Sequence, residues 1–398
     1  MKILQLAPRF PFPPDDGGKI SIANTTIEFK RAGHEVTLFF FTENEIEEKK
    51  LALAKEYAEV KYMLHSTRNT PARILKSVLN GKSIYIGKHS TPEVFKNFRK
   101  LFEGRKFDAI HADHTCMAPL AQYARSFLKA PMGLRLHNVE WMIWNRYAEA
   151  LKWHNPRKYY VYQQSIALKK AEGELIAKSD VSFAITETDK NRALELAPNA
   201  NVISAPGGVN LEEWKPDDVV ERNPYELVLA TTYVWVHNVD AVRWFCENVL
   251  PIINKAIPEI KLTLIGKNQP DFLNNFKDIG ADPIGYVDEV QPYYNRSAIN
   301  VVPLFVGSGI RIKILEAMAM KLPVVASPVA AEGIPGNDAN GLLIRDSAKD
   351  FADAIIELCL DSRKRQKMGD EARNFIKVNF TWSKNIGLML KEYKKLIK

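Results

Sequence analysis

Residues 307–316 read Gly-Ser-Gly-Ile-Arg-Ile-Lys-Ile-Leu-Glu, a glycine-rich turn between an apolar run and a helical pattern. Two glycines let the backbone approach a ligand closely and leave its amides unscreened by side chains. The helix start adds free N–H groups and a partial positive charge, which together suit a phosphate. Arg311 and Lys313 fall in the first turn, where each cation opposes the helix dipole at a cost of a few tenths of a kcal/mol. A local conflict of this kind points to an anionic ligand. Glu316 follows one turn later among Ile312, Leu315, Met318 and Ala319, placed to accept from a cis-diol such as ribose. A plain tight turn and a first-turn carboxylate paired with a neighbour are the bland readings of the same residues.

The loop from Pro8 to Gly18 repeats the device, with Gly17 and Gly18 offering backbone amides at a helix start. Asp113-His114 and His137-Asn138-Val139-Glu140-Trp141 each follow a short apolar run, at the carboxyl end of an expected strand. In open parallel sheets that is where ligands bind. No Asp-x-Asp occurs in the chain, and Asp15-Asp16 is not a metal motif, so no metal is expected. Cys116, Cys246 and Cys359 lie far apart, which argues against a disulfide framework or a zinc site and fits a reducing cytoplasm.

These residues need a scaffold of alternating strands and helices, and the sequence has one. Strand-like runs at 3–7, 36–41, 109–112, 133–136, 182–185 and 202–204 precede a break, and runs at 227–230, 261–265, 300–304 and 324–326 follow it. Amphipathic segments separate them, such as 20–32, closed by Gly33. The alternation predicts α/β architecture with parallel sheets covered on both faces. Gly207-Gly208, a charged stretch and prolines 206, 216 and 224 mark a linker over 206–223 between doubly wound domains at 1–205 and 224–380. In the closing segment 381–398, Trp382, Ile386, Met389, Tyr393 and Leu396 share one helical face.

The 398 residues suffice for two domains, and no run reaches the ~18 apolar residues of a membrane span. The first apolar run is too short and too broken by Arg9 and prolines for a secretory leader, so a cytoplasmic location is expected. The net charge of +8 suits anionic partners or simply a solvated basic surface. Around residues 141–160, aromatic residues (Trp141, Trp144, Tyr147, Trp153, Tyr159, Tyr160) interleave with Arg146, Lys152, Arg157 and Lys158. Helix packing is the favoured account of that stretch; peripheral contact with an inner membrane surface is the other. No groove-reading motif accompanies it, which argues against nucleic acid.

Ser308-Gly309-x-Arg311-x-Lys313-x-Leu315-Glu316-Ala317-Met318-Ala319, followed by Leu322-Pro323-Val324-Val325-Ala326, resembles the donor site of glycosyltransferase family 4. The resemblance implies a GT-B fold: two Rossmann-like domains facing a central cleft, with the C-terminal helix crossing back to the first. It implies retention of anomeric configuration, a nucleotide-sugar donor on the second domain, a glycan or lipid-linked acceptor on the first, and no cofactor. The family's usual pair of glutamates is reduced here to Glu316, assigned to ribose, with Ser308 at the first position, as in a Gly-Ser-Gly subgroup. Ser308, Gly309 and Ile310 then line the donor, with Arg311 and Lys313 facing its pyrophosphate and easing departure of the leaving group. Gly17 and Gly18 match the loop that reaches toward donor phosphate and acceptor. His137 matches the histidine beside the anomeric carbon, able to donate to a sugar hydroxyl or help stabilise an oxocarbenium-like state. Asp113, His114, Asn138 and Glu140 fall on the acceptor side. Trp235-Val236-His237-Asn238-Val239-Asp240 is similar to the subgroup's Trp-x-Pro-Asn-x-Asp, which assigns Asn238 to the donor region. Surface-polysaccharide assembly is the expected setting. A nucleotide-sugar epimerase of the same fold and a degenerate nucleotide-sugar-binding subunit are the rival readings.

Overall fold

β1 (Lys2–Ala7) is buried along all but its first residue, as a strand covered on both faces requires. It lies inside a seven-stranded parallel sheet with β2 (Glu35–Thr42), β3 (Glu59–Leu64), β4 (Ala109–Asp113), β5 (Met132–Leu136), β6 (Val181–Ala184) and β7 (Val202–Ser204). The order is β3-β2-β1-β4-β5-β6-β7. A second sheet holds β8 (Glu226–Ala230), β9 (Lys261–Ile265), β10 (Ala281–Gly285), β11 (Ile299–Val302), β12 (Val324–Ala326) and β13 (Leu342–Ile344), in the order β10-β9-β8-β11-β12-β13 and again parallel. The computed structural model describes residues 1–306 and 309–397. The chain forms two compact units, one of Met1–Pro206 with Asn385–Lys398 and the other of Gly207–Lys384.

Each sheet reverses its winding once, between β1 and β4 in the first unit and between β8 and β11 in the second. Such a reversal splays the two connections apart and opens a crevice at the carboxyl ends of the strands. The loops singled out from the sequence leave these four strands or β5, next to β4.

The first helix (Gly17–Arg31) begins three residues before the amphipathic pattern because the Asp16 carboxylate caps it, accepting from Lys19 N at 3.0 Å. It ends where Gly33 takes a φ of 82°, a left-handed position that suits glycine. From Gly207 the stretch read as a linker is packed on the second unit. Val209 pairs with Thr381, Trp214 is buried beside Tyr294, and the Arg222 guanidinium donates to the carbonyls of Met320 and Lys321.

The last helix (Trp382–Leu396) buries the face its spacing predicts. From Asn385 it belongs to the first unit, where Ile386, Met389, Leu390 and Tyr393 pack with Ile3, Phe29 and Phe183. Gly133 on β5 makes room for this helix: a Cβ there would stand 2.0 Å from the Tyr393 hydroxyl. The ring is fully buried and cannot swing away. Gly133→Ala is therefore expected to cost about 1–3 kcal/mol by overpacking, read as a lowered urea midpoint at unchanged slope.

Candidate functional site

In the first unit the crevice between β1 and β4 holds a buried chain of polar side chains. Gln5 of β1 donates from Nε2 to Asp113 Oδ2 at 2.7 Å. His137, immediately after β5, places Nε2 3.1 Å from the other oxygen, Oδ1. His111, two residues earlier on β4, sits 3.5 Å from the same oxygen and bonds the Tyr393 hydroxyl at 2.7 Å through Nδ1. The His114 ring stacks on His137 at 3.7 Å, and its Nδ1 lies 3.9 Å from Glu140 Oε1. His114 holds a φ of 70°, a strained conformation for a residue with a side chain, and such strain clusters at functional sites.

Burial alone would raise the Asp113 carboxyl, but His111 and His137 hold it well below the usual range. Burial, aided by the charges of His114 and Arg135 against the pull of Asp113, brings His137 down to about 3. A neutral imidazole that donates from Nε2 to a carboxylate keeps Nδ1 as an acceptor. His137 can therefore accept a hydrogen bond from a hydroxyl at Nδ1, besides the donor role that the resemblance implies. Asp113 is the last residue of β4 rather than the first of the loop, and its own register partner on β5 is Arg135, a fully buried guanidinium.

At Gly18 a Cβ would meet the mobile end of the half-exposed Arg9 side chain at 2.9 Å and stand 3.9 Å from His114 Nε2. Gly17 has open space around it and no steric reason to be glycine. The helix start they form is already met by the Asp16 carboxylate, which Arg9 also binds at 2.6 Å. An approaching phosphate would have to share those groups with Asp16. Asn138 is half-buried between His137 and Val139.

Glu172 completes this cluster, and nothing near it in the sequence announced it. The helix Glu140–Ala150 starts after Val139, which has no capping side chain. The Glu172 carboxylate stands in from the neighbouring helix, accepting from Glu140 N (3.1 Å), Trp141 N (3.2 Å) and Thr115 Oγ1 (3.1 Å). Burial, reinforced by the charge of Glu140, pushes its carboxyl up to about 8 against those three donors. The stability it contributes is then full below the ordinary glutamate pKa of about 4.3 and declines as pH rises through 8. Glu172→Gln should remove that decline, so that the melting temperature of the wild type falls relative to the variant between pH 5 and pH 8.5.

In the second unit, β11 runs out through Leu304, whose carbonyl accepts from Ser327 Oγ, toward Gly309, which has a φ of 78°. Gly307 and Ser308, the first residues of the expected phosphate turn, lie outside the described residues. Arg311 occupies the N-cap position of the helix Ile312–Ala319, and its own side chain makes no capping hydrogen bond. The first-turn amides of a helix lack partners within it. At this helix start stand the half-buried Arg311 and the exposed Lys313. Ile310 is half-buried, packed against the apolar cluster under this helix. Glu316 is 8% exposed, and burial pushes its carboxyl up to about 7, Lys313 pulling down and Glu213 adding to the rise. Burial also lowers Arg311, against the field of Glu332.

The β8 loop contributes His237, which stands where the resembled motif has proline. His237 stacks on Trp235 at 6.2 Å, and after burial the charge of Arg311 is what most lowers its pKa. Asn238 is buried, and its amide donates to the Thr232 carbonyl at 2.8 Å, fastening this loop to the start of the helix Val236–Trp244. Gly266 after β9 lets the loop lie flat, since a Cβ there would stand 1.8 Å from the Thr231 carbonyl oxygen.

Residues 226–361 match the family described as glycosyl transferases group 1. Over 410 aligned residues the chain is 22% identical to an uncharacterized 44.6 kDa protein in the cps region of Klebsiella pneumoniae, covering 98% of this chain and 99% of that one. Sucrose-phosphate synthase from Thermosynechococcus elongatus is similar in structure, with a TM-score of 0.70 and 15% identity over 100% of this chain and 99% of the other. The HepE protein of Anabaena, solved in complex with UDP and glucose, matches at a TM-score of 0.67 and 12% identity over 100% of both chains. The two parallel-sheet, Rossmann-like units are those of the GT-B fold. Together with the family match they support a glycosyltransferase.

Proposed function

We propose that this protein is a retaining, metal-independent glycosyltransferase that moves a sugar from a nucleotide sugar to a glycan or lipid-linked acceptor in cytoplasmic polysaccharide assembly. The observation that carries the donor assignment is the start of the Ile312–Ala319 helix, with Arg311 at the cap position, Lys313 in the first turn and Glu316 buried one turn on. Amides and two cations suit a diphosphate, and a desolvated carboxylate suits the two hydroxyls of a ribose. The match to glycosyl transferases group 1 and the UDP and glucose in the HepE structure support the same reading. The cps-region relative supports the polysaccharide setting, and three free, buried cysteines suit the cytoplasm.

In the first unit, His137 is the catalytic group beside the anomeric carbon, and Asp113, His114, Asn138 and Glu140 are the acceptor-side groups. Transfer breaks the bond from the anomeric carbon to the diphosphate and forms one to the acceptor oxygen on the same face. The hydroxyl proton passes to the departing phosphate oxygen. Arg311 and Lys313 stabilise the charge that develops there, so no metal is required.

The test is incubation with a panel of nucleotide sugars and candidate acceptors, with product anomers read by NMR and a chelator control. The proposal predicts a product of unchanged anomeric configuration, formed at the same rate with chelator present. An epimerised sugar formed without acceptor, or nucleotide binding with neither transfer nor slow hydrolysis, would overturn it.

A further inference from the structure

The helix Pro71–Asn80 packs the wrong way round for a helix that serves only its own fold. Its polar side faces the protein. Ser77 is buried, 3.4 Å from the Tyr160 hydroxyl and accepting from Gln164 Nε2 at 3.4 Å, while the Val78 carbonyl accepts from Gln163 at 3.2 Å. Its apolar side faces water, with Leu75 61% and Leu79 75% exposed. Burying a leucine contributes about 1.5–3 kcal/mol, so a fold that leaves two of them outward forgoes a substantial gain. The partner helix Pro156–Ala177 carries an exposed stripe of Tyr159, Tyr162 and Ile166 at i, i+3 and i+7, and Trp153 just before it is 77% exposed.

Charge singles out the same two segments. Residues 66–90 contain five basic and no acidic side chains, and residues 141–170 contain six basic and one acidic. They more than account for the chain's net charge of +8. A protein partner would match apolar area and leave charge free to alternate. An apolar, aromatic face set in nearly unopposed positive charge fits an anionic bilayer, where leucine and the aromatic rings enter the headgroup region and the cations meet lipid phosphate. We propose that these two helices form a docking surface for the anionic face of a membrane. Among the described residues no helix is long and apolar enough to cross the bilayer, so the contact is peripheral.

The test is co-sedimentation of the full chain with vesicles of phosphatidylcholine alone or mixed with phosphatidylglycerol, at low and high salt. Binding is expected only to the mixed vesicles and should weaken as salt screens the charges. Leu75→Glu with Leu79→Glu, and separately Lys76→Glu with Lys82→Glu and Arg157→Glu, should each reduce the bound fraction at least tenfold. All five positions are exposed, so the melting temperature should hold and exclude misfolding as the cause. Failure of the wild type to bind mixed vesicles would overturn the proposal, as would binding that neither variant weakens. A self-associated species in sedimentation velocity that Leu75→Glu with Leu79→Glu dissolves, without vesicle binding, would assign the face to a second copy instead. The readout is binding alone, so its outcome is distinguishable from failure of the proposed activity.

Discussion

Arg311→Ala is expected to lower kcat/KM for sugar transfer by about 100- to 1000-fold, the usual loss when a group facing developing charge is removed. Arg311 is desolvated at the helix start, against the field of Glu332. Activity that falls while the melting temperature of the free protein holds within a few degrees would separate a role at the donor from a structural one. Arg311→Lys should recover only part of the rate, because a point charge cannot reproduce the planar fork.

Glu316 gives this site a pH dependence of defined sign. With its carboxyl pushed up to about 7, it is half ionised near neutrality in the free protein. A diol donates to the ionised form, so donor affinity should fall as pH drops below 7. Glu316→Gln should bind more weakly throughout and lose that slope.

Asp113→Ala should destabilise the first unit by about 3–5 kcal/mol, lowering the melting temperature by on the order of 10 °C. Asp113 accepts from Gln5 and His137 and is the register partner of a guanidinium with no exposure to water. Its removal leaves Arg135 buried without its balancing charge, which is why the cost exceeds that of a lost hydrogen bond. Asp113→Asn keeps shape and one acceptor and should cost less, yet it removes the carboxylate that fixes the His137 tautomer. Acid should act on the same cluster. A folded pKa of about 3 for His137, below its ordinary 6.5, means its contribution is present above pH 6.5 and is lost as pH falls toward 3. Histidine-to-glutamine substitution at 137 should flatten that part of the profile.

The strands legible in the sequence are the covered ones. β1, β2, β4 and β8 are largely apolar runs because both faces are buried, and the sequence pattern places each to within two residues. β3, β10 and β13, which the apolar runs do not mark, are sheet edges. β3 reads Glu-Val-Lys-Tyr-Met-Leu, a short alternation with only partial burial and no continuous apolar run, and β10 is broken by a proline and a glycine. The donor loop was legible because its conflict is local: cations where a helix start disfavours them. The first-unit cluster was legible only in part. Asp113, His114 and His137 sit at strand ends, but Tyr393 reaches His111 from 282 residues away and Glu172 caps a helix it does not belong to. Such contacts exist only once the chain has folded. His237 was visible as a departure from a motif, and only the structure sets it beside Arg311.

Thermal stabilisation by a panel of nucleotide sugars tests the central claim most directly, because a ligand that binds only the folded state raises stability as RT ln(1 + [L]/Kd). At least one nucleotide sugar should raise the melting temperature in proportion to the logarithm of its concentration, and the shift should vanish in Arg311→Ala and shrink in Glu316→Gln. No stabilisation by any member of the panel, or a shift that Arg311→Ala leaves intact, would contradict the assignment of this helix start to a nucleotide sugar.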